Sequence, residues 1–525
     1  MDKLWMHDLI QEMAKEIVLS ESPKDPCQRS RLWFHQDVLQ VLKEQKERNN
    51  IECIRLDMPE AENVKISGKA LEKMKKLRIL MVGNANISDG IPYLSDELRL
   101  IDWSRYPSST LPPNFYPKRL VSLKMNHGRI KHLWKGVKIF RDLKFLSFSC
   151  CEYLSEIPNL SLIPQVESLS LDHCKSLVEV HESVGSLEKL VTLKLVFCSN
   201  LKTLPCRFKL KSLRSLLLTG CSNIRNFPEI VEKMASVEEV LLEGTSIKAL
   251  PQSTEYLIGL EVLLLDSCQK LEHLPCSIEK LQCLVSLSLS NCPRIRELPK
   301  LPLNTRFMWT NNCRSLQKFP NLYSTSSSIP GLDDFQRSYH MSFINCHNLI
   351  HKQVQDQITN RLFDEASQYE IMLPGGTVPY WHDHHSTNGS ISLEVASRFN
   401  GKPVELFFGA VFDVNKTSNN TFPTGAFSFF VELAINNHKT LAIARTFDSL
   451  ETSHVWLTKI NFGNVLRPFL WPFNHDMHYW NQFVVSFGFS QVSPNVKLNA
   501  VLKFCGFHIS CKQDGYSIDH TLVKI

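Results

Sequence analysis

The chain has 525 residues, of which 43% are hydrophobic and 21% charged, so it is long enough for about two to four globular domains. Its net charge of +6 is spread along the chain without a block of Lys and Arg, which argues against specific binding to nucleic acid. It has neither a signal peptide nor an apolar window long enough to span a membrane, so we predict a cytoplasmic or nuclear protein whose 16 cysteines stay reduced.

The first twenty residues have an amphipathic pattern. Apolar residues recur at three- and four-residue spacing between Leu9 and Val18, which predicts a helix with one apolar face. His7 and Asp8 stand at the start of this helix, and taken alone they are ordinary first residues of a surface helix. Residues 1–50 are therefore predicted to form a short helical segment ahead of the main fold.

A repeat of 23 or 24 residues organises the middle of the chain. Its unit is apolar-x-x-apolar-x-apolar-x-x-Cys, followed by two further apolar positions and a proline. Clear copies begin at positions 120, 143, 166, 190, 213, 237, 260 and 284, with weaker copies around Leu98, Cys313 and Cys346. This period and consensus are typical of leucine-rich repeats. We therefore predict an α/β leucine-rich-repeat solenoid over residues 51–320, in which each repeat adds one strand to a parallel β-sheet horseshoe.

Cysteine recurs once per repeat, where the chain turns away from the strand. The residues at this position are Cys151, Cys174, Cys198, Cys221, Thr245, Cys268 and Cys292. Stacking of the repeats places them in a row, and the chain contains no Cys-x-x-Cys chelate. We interpret them as small buried core residues and predict no metal site.

The residue between the two core positions of each strand faces the concave surface of such a solenoid. In three consecutive repeats this residue is leucine, and acidic residues stand beside the leucine stripe. The six residues are Leu217, Leu241, Leu264, Glu239, Glu243 and Asp266. An apolar stripe with an acidic rim fits a protein-binding surface, and its occupant is either a separate protein or another domain of the same receptor.

The composition changes after Pro320. Residues 321–368 are predicted to form a serine-rich linker with a polar helical stretch near residues 353–362. Beyond Tyr369, runs of β-branched and aromatic residues separated by turn residues predict an antiparallel β-sandwich over residues 369–525. The predicted strands are residues 370–373, 391–395, 404–414, 426–435, 454–460, 483–489 and 500–510.

Two loops of this C-terminal domain contain clusters of functional residue types. Residues 382–385 read HDHH, but adjacent side chains rarely converge on one ion, so a solvated loop is favoured over a zinc site. A second loop contains Phe469, Trp471 and Phe473. We interpret it as a loop that covers the core, with contact to a partner as the alternative.

Several motifs in this order resemble one family. Residues 5–13 read WMHDLIQEM, residues 30–33 read SRLW, residues 98–103 read LRLIDW, and residues 373–381 read LPGGTVPYW. Together they resemble the C-terminal part of plant TIR-type nucleotide-binding leucine-rich-repeat immune receptors. The resemblance implies four segments: the end of the nucleotide-binding NB-ARC module with its MHD motif (1–50), the repeats (51–320), a linker (321–368) and a jelly-roll or immunoglobulin-like domain (369–525).

The resemblance also implies roles for particular residues. In the family, the histidine of the MHD motif contacts the phosphate of bound ADP, and His7 takes that position. This sequence contains no Gly-x-x-x-x-Gly-Lys-Ser/Thr phosphate loop and no TIR domain. We therefore predict no cofactor and no enzymatic activity in this chain, although complete members of the family bind ADP or ATP. His7 would contact nucleotide only in the presence of the upstream module.

The implied function is intracellular innate immunity. The repeats and the sandwich would recognise a pathogen effector or a guarded host protein and would restrain a nucleotide-binding switch by contact with NB-ARC. Tetramers would form only in complete receptors. Two alternatives remain open: a truncated sensor or decoy, and a leucine-rich-repeat adaptor without signalling activity.

Overall fold

A computed structural model describes most of the repeats and the strands of the C-terminal domain. The described residues are 7–44, 50–64, 68–87, 91–134, 138–302, 304–318, 338–349, 368–376, 384–396, 404–414, 427–435, 438–447, 450–461, 480–491, 500–511 and 523–524. They form two compact units. The first contains Met1–Cys268 and Lys280–Cys283, and the second contains Gln269–Glu279 and Leu284–Ile525. The four-segment division expected from the sequence remains a prediction.

In the first unit, the N-terminal segment caps the repeat sheet. Helix α1 (Asp8–Glu21) is followed by the short strand β1 (Arg31–Leu32) and by helix α2 (His35–Lys43), which buries Val38, Val41 and Leu42. Strand β1 pairs in parallel with the first repeat strand, β2 (Cys53–Val64). The segment predicted as a helical remnant therefore also supplies a strand, which covers the edge that the first repeat would otherwise expose.

The repeat strands of the first unit form one parallel sheet. After β2 they are β3 (Ile79–Ile87), β4 (Leu100–Trp103), β5 (Ser122–Lys124), β6 (Phe145–Ser147), β7 (Ser168–Ser170), β8 (Thr192–Lys194), β10 (Ser215–Leu217), β12 (Glu239–Leu241) and β13 (Val262–Leu264). In a typical strand the central residue is buried and its two neighbours are half-buried, because alternate side chains point to opposite faces. The predicted leucine-rich-repeat solenoid is confirmed.

The opposite side of the repeats is built from turns and short segments. Strands β9 (Arg207–Phe208) and β11 (Glu229–Ile230) pair in parallel there. Among the described residues, the 3₁₀ helices are Pro26–Gln28, Gly68–Leu71, Glu182–Ser186, Gln252–Tyr256, Cys276–Lys280 and His347–Leu349. A repeat of 23 or 24 residues is too short for a long helical return, so turns and single 3₁₀ turns close most of the described repeats. No helix within the described residues is long and apolar enough to cross a membrane.

From β4 onwards, each described repeat turns through a left-handed residue directly before the cysteine position. These residues are Arg105, His127, Cys150, His173, Phe197, Gly220, Gly244, Ser267, Asn291, Asn312 and Asn345. Such a φ costs a non-glycine residue about 1–2 kcal/mol. The backbone N–H of the turn residue offsets this cost by donating to the next repeat, as in His173 N to Val196 O at 2.7 Å. At Gly220 a side chain would also collide with the Phe197 ring, which would lie 2.3 Å from an added Cβ.

The buried cysteines connect consecutive repeats through hydrogen bonds. The Cys198 thiol donates to Leu171 O at 3.0 Å, and that same carbonyl accepts the Cys174 N–H at 3.2 Å. The bond recurs in both units, at Cys151 to Met125 O, Cys174 to Phe148 O, Cys221 to Leu195 O, Cys268 to Leu242 O, Cys313 to Leu289 O and Cys346 to Thr310 O. The residues at this position are thus weak donors as well as core side chains.

In the second unit, the repeat sheet passes directly into the C-terminal domain. Strands β14 (Ser286–Ser288), β15 (Phe307–Trp309), β16 (Ser338–Ser342) and β17 (Gln368–Pro374) are parallel neighbours in that order. On its other side β17 pairs antiparallel with β23 (His454–Asn461). Strand β17 is therefore both the last strand of the repeats and the first strand of the sandwich.

The C-terminal domain is an antiparallel β-sandwich, as predicted. Its first sheet continues from β17 and β23 through β20 (Val404–Val414), β25 (Ala500–Cys511) and β18 (His384–Ser386). The second sheet has the order β22 (His438–Phe447), β21 (Phe427–Ile435), β24 (Trp480–Gln491), β19 (Ser390–Ala396) and β26 (Val523–Lys524). Aromatic rings fill the space between the sheets: Phe429 contacts Phe412 and Trp456, with ring centroids 5.2 and 5.4 Å apart.

All seven predicted strands of this domain are present, with bounds within about three residues of those expected. The sequence missed β18, β22 and β26. Strand β22 is an edge strand with Lys439, Ala442 and Ala444, residue types that are depleted in strands, so its sequence pattern was weak. The predicted linker helix near residues 353–362 lies outside the described residues.

An asparagine ladder runs along the last repeats of the second unit. The side-chain amide of Asn312 donates to Asn291 Oδ1, and that of Asn345 donates to Asn312 Oδ1, both at 2.8 Å. Asn345 then contacts the sandwich: its Oδ1 accepts the Glu451 N–H, and its own N–H donates to His454 Nε2, both at 2.9 Å. The ladder thus fixes the start of β23 against the repeats.

Candidate functional site

The leucine stripe lies on three neighbouring strands of the first unit. Leu217 on β10 pairs in register with Leu241 on β12, which pairs with Leu264 on β13. Neighbouring strands are about 4.8 Å apart, so the three side chains form a continuous row. Each is half-buried, whereas the core residues before and after it in sequence are buried. The sequence thus placed these residues together correctly.

The acidic residues flank this row on the same face. Glu239 precedes Leu241 by two residues, and Glu243 and Asp266 follow Leu241 and Leu264 by two, so all three share the face of the leucines. The Thr219 hydroxyl donates to Glu243 Oε2 at 2.7 Å and holds that carboxylate in place. All three acidic residues are half-buried.

Each of these strands contributes three residues to the concave face, and not the stripe position alone. The positions two residues before and two residues after the stripe belong to the same face, as the alternation of buried and half-buried residues shows. Over β10, β12 and β13 these positions include neither Lys nor Arg. They are Ser215, Leu217, Thr219, Glu239, Leu241, Glu243, Val262, Leu264 and Asp266. The repeat register itself was the signal that could have identified them.

Towards the N-terminus, the concave face changes from leucines and carboxylates to lysines and serines. Lys194 on β8 stands in register beside Leu217, and Lys124 occupies the same position on β5. Between them lie Ser147 and Ser170, whose hydroxyls take part in a polar network with Asn126 and Ser149. The apolar and acidic part of the concave face therefore has a defined border at Lys194.

A polar cleft of about 500 Å³ lies at the turns that follow β5, β6 and β7. It is lined by His127, Gly128, Arg129, Cys150, Glu152, Tyr153, His173 and Lys175. Lys175 and Glu152 form an ion pair across it at 2.9 Å. Burial, followed by the charges of Asp172 and Glu152, raises the pKa of the Cys150 thiol and keeps it protonated. The sequence analysis did not find this cleft, because its residues occupy the left-handed turn position and its neighbours.

Within the described residues, side chains of the types that bind metal ions cluster at one place. Donor atoms of Asp25, Cys27 and Glu44 lie within 4.8 Å of one another. Hydrogen bonds inside the trio account for this proximity: Asp25 Oδ1 accepts the Cys27 N–H at 3.1 Å, and the Cys27 thiol donates to Glu44 at 3.5 Å.

His7 is the N-cap of α1. Its ring Nδ1 accepts the Leu9 N–H at 3.3 Å, and its side chain is exposed. The apolar face predicted for this helix is present, but Leu9, Ile10, Met13 and Ile17 are each more than half exposed, and only Val18 is buried. Tertiary contact in the described residues therefore uses a small part of that face.

Several predicted candidates lie outside the described residues. These are Phe469, Trp471, Phe473, His382 and Asp383. The backbones of His384 and His385 belong to β18, where they pair with Phe507 and Gly506 of β25. Partner contact by the aromatic loop remains a prediction.

A half-buried carboxylate stands where the second unit's repeats meet its sandwich. Glu370 on β17 accepts two hydrogen bonds from Arg445 at 2.6 and 2.5 Å and one from Trp456 Nε1 at 3.1 Å, and it lies 3.2 Å from His340 Nδ1. Burial alone would raise its pKa, but the hydrogen bonds from His340, Arg445 and Trp456 and the charge of Arg445 lower the pKa to about 2. Glu370 is thus ionised at neutral pH, and its side chain links β17 to β16, β22 and β23.

These observations define the class of protein: a leucine-rich-repeat protein whose repeat sheet continues into an antiparallel β-sandwich. Residues 209–301 match the family model described as Disease resistance protein RPS4B-like, leucine-rich repeats. The resemblance predicted from the sequence, to plant disease resistance proteins of the TIR-type nucleotide-binding leucine-rich-repeat class, is confirmed.

Curated relatives agree with this match. The chain is 34% identical over 303 residues to TMV resistance protein N of Nicotiana glutinosa, covering 57% of this chain and 26% of the relative. It is 36% identical over 310 residues to Disease resistance protein RPP2A of Arabidopsis thaliana, covering 58% of this chain and 22% of the relative. The chain thus spans about a quarter of the length of these relatives.

Solved structures show a weaker likeness. The functional domain of InlJ from Listeria monocytogenes, described as including a cysteine ladder, aligns with a TM-score of 0.32 and 16% sequence identity, covering 52% of this chain and 60% of that chain.

Proposed function

We propose that the repeats of this chain bind a protein in plant disease resistance, either a pathogen effector or a guarded host protein, in the cytoplasm or nucleus. The leucine stripe with its acidic rim carries the proposal, because a row of half-buried leucines on an open sheet face is a surface that protein partners cover. The relatives named as disease resistance proteins support the biological setting.

The proposal extends to regulation of a nucleotide-binding switch. The exposed apolar face of α1 supports a place for this helix within a larger nucleotide-binding module. His7, as the exposed N-cap, would approach the nucleotide phosphate in that setting. The chain by itself would bind no ADP and catalyse no reaction. Equilibrium dialysis with labelled ADP tests this: micromolar binding by the isolated chain would contradict it.

Leu241→Asp tests the protein-binding role. A charge in the middle of the stripe should remove a partner, because the carboxylate would be desolvated without a counter-charge. We would compare tagged wild-type and variant chains in plant tissue by quantitative mass spectrometry. Val178→Asp serves as the control, since Val178 is exposed and lies off the sheet face.

The expected result is a set of partners lost from Leu241→Asp and retained by Val178→Asp. A second arm places the chain behind the TIR and nucleotide-binding modules of a relative. If the stripe covers those modules, Leu241→Asp should cause cell death without a pathogen. No change in either arm would exclude the stripe as a functional surface.

A further inference from the structure

We propose that the segment bound by the leucine stripe is basic and amphipathic, with apolar side chains on the three leucines and Lys or Arg opposite Glu239, Glu243 and Asp266. This inference rests on the proposed function and specifies the chemistry of its partner. It follows from the leucines and carboxylates on the concave face of β10, β12 and β13 and from the absence of Lys and Arg at these positions.

The first observation is the charge of the face. The nine concave positions of these three strands include three carboxylates, three leucines and no cation. Arg214, which directly precedes β10 in the sequence, pairs with Glu238 at 3.3 Å, and Glu238 is not one of the acidic residues of the face. Complementary charge on a partner would speed association and reject acidic competitors, because like charges brought together cost several kcal/mol.

The second observation is that the carboxylates are half-buried already. Glu243 is held by the Thr219 hydroxyl at 2.7 Å, so its position is set before a partner arrives. A neutral or acidic partner that covered the leucines would also remove water from Glu239 and Glu243 without supplying an opposite charge. A partner with Lys or Arg at the rim avoids that penalty.

The third observation is the size and the border of the face. Three strands span about 10 Å, which matches the side chains of about two helical turns or a short extended segment. Lys194 stands in register beside Leu217 and closes the stripe on one side. The basic residues of the partner should therefore lie towards Glu239 and Asp266, and its neutral or acidic end should lie towards Lys194.

Selection from a peptide library provides the test. A phage-displayed library of random 16-residue peptides would be selected on the folded full chain, and binders to the Leu241→Asp variant would be removed in each round. Enriched peptides would be measured by fluorescence anisotropy against the triple variant Glu239→Gln, Glu243→Gln and Asp266→Asn. A control triple variant, Glu179→Gln, Glu188→Gln and Glu232→Gln, removes the same charge from turns outside the concave face.

The expected peptides combine apolar residues with Lys and Arg. They should bind the concave triple variant about tenfold more weakly and the control triple variant within about twofold, with affinity that falls as salt rises. Peptides that need Leu241 but are neutral or acidic, or that bind the concave triple variant unchanged, would overturn this inference and leave the proposed function intact. Failure to enrich any Leu241-dependent peptide would count against both.

Discussion

The thiols of the repeat cysteines combine a small apolar volume with a hydrogen-bond donor. The carbonyl five residues after the start of a repeat accepts both the backbone N–H of its own turn and the thiol of the next repeat at Phe148, Leu171 and Leu195. Alanine would fill less volume and donate nothing, whereas Thr245 keeps a donor at the same position. Burial raises the pKa of the Cys151 thiol to about 12, so this thiol stays protonated and can donate.

Cys198→Ala should lower the free energy of unfolding by about 1–2 kcal/mol, because it removes the bond to Leu171 O and leaves a small cavity. Urea unfolding followed by circular dichroism measures this. Cys206→Ala is the matched control, since Cys206 is exposed, and it should change stability by less than about 0.5 kcal/mol. Equal effects of the two substitutions would contradict a structural role for the row of buried cysteines.

The left-handed residue before each cysteine was not predicted from the sequence. Asn, Gly and His at this position are residue types that tolerate a positive φ, whereas Phe197 and Cys150 are types that do not predict one. Their conformation is imposed by the hydrogen bond to the next repeat, a contact between residues more than twenty positions apart. The conformational preferences of single residues do not predict a hydrogen bond between such distant positions.

Strand β17 is the element that joins the repeats of the second unit to the sandwich. It pairs in parallel with β16 and antiparallel with β23, so its backbone N–H and C=O groups are used on both edges. Glu370 adds a side-chain connection, because Arg445 reaches it from β22 of the second sheet. Its sequence predicted a strand, but nothing local revealed that the strand serves two domains.

Glu370→Gln should destabilise the chain at neutral pH by about 2–3 kcal/mol, because Arg445 loses its charged partner. The folded-state pKa of about 2 lies below the ordinary value of 4.5, so the contribution of Glu370 is complete above pH 4.5 and is lost as the pH falls towards 2. The difference in unfolding free energy between wild type and variant should therefore shrink over that range.

Urea unfolding at several pH values between 7 and 2 measures this difference. Glu297→Gln is the control, since Glu297 forms an exposed ion pair with Lys318 at 3.4 Å and should contribute less than about 0.5 kcal/mol at any pH. A difference for Glu370→Gln that stays constant from pH 7 to pH 2 would contradict an ionised carboxylate in this network.

At the scale of the whole molecule, the second unit cannot be divided between its repeats and its sandwich without opening a sheet. Removal of β17 and all that follows would leave β16 as an edge strand with unpaired backbone groups. The asparagine ladder would also lose its contacts with Glu451 and His454. A cut at residue 368 would therefore divide one continuous sheet between β16 and β17.

A chain that ends at residue 367 should aggregate, because the exposed edge of β16 offers a template for pairing with other molecules. Size-exclusion chromatography with light scattering measures this. A chain that ends at Cys511 is the control, since it loses only the two-residue strand β26 among the described strands and should remain monodisperse. A monodisperse product ending at residue 367, with unchanged thermal stability, would show that the shared strand is dispensable.

The sequence by itself determined the repeat period, the core positions, the cysteine row and the leucine stripe. These follow from a pattern that recurs every 23 or 24 residues, so each copy reports the same local geometry. The strands of the sandwich were also predicted, because their alternation of apolar residues is local. Strand β22 was not predicted, because as an edge strand it has a neighbouring strand, β21, on one side only.

Contacts between residues far apart in the chain became visible in the three-dimensional structure. The bond between Glu370 and Arg445 joins residues 75 positions apart, and the bond between Asn345 and His454 joins residues 109 positions apart. The pairing of β17 with β23 likewise joins a repeat strand to a sandwich strand. No periodic pattern encodes such contacts, because they depend on how two independently patterned segments pack. The position of Lys194 beside Leu217, by contrast, follows from the repeat alignment alone, and the strand register confirms it.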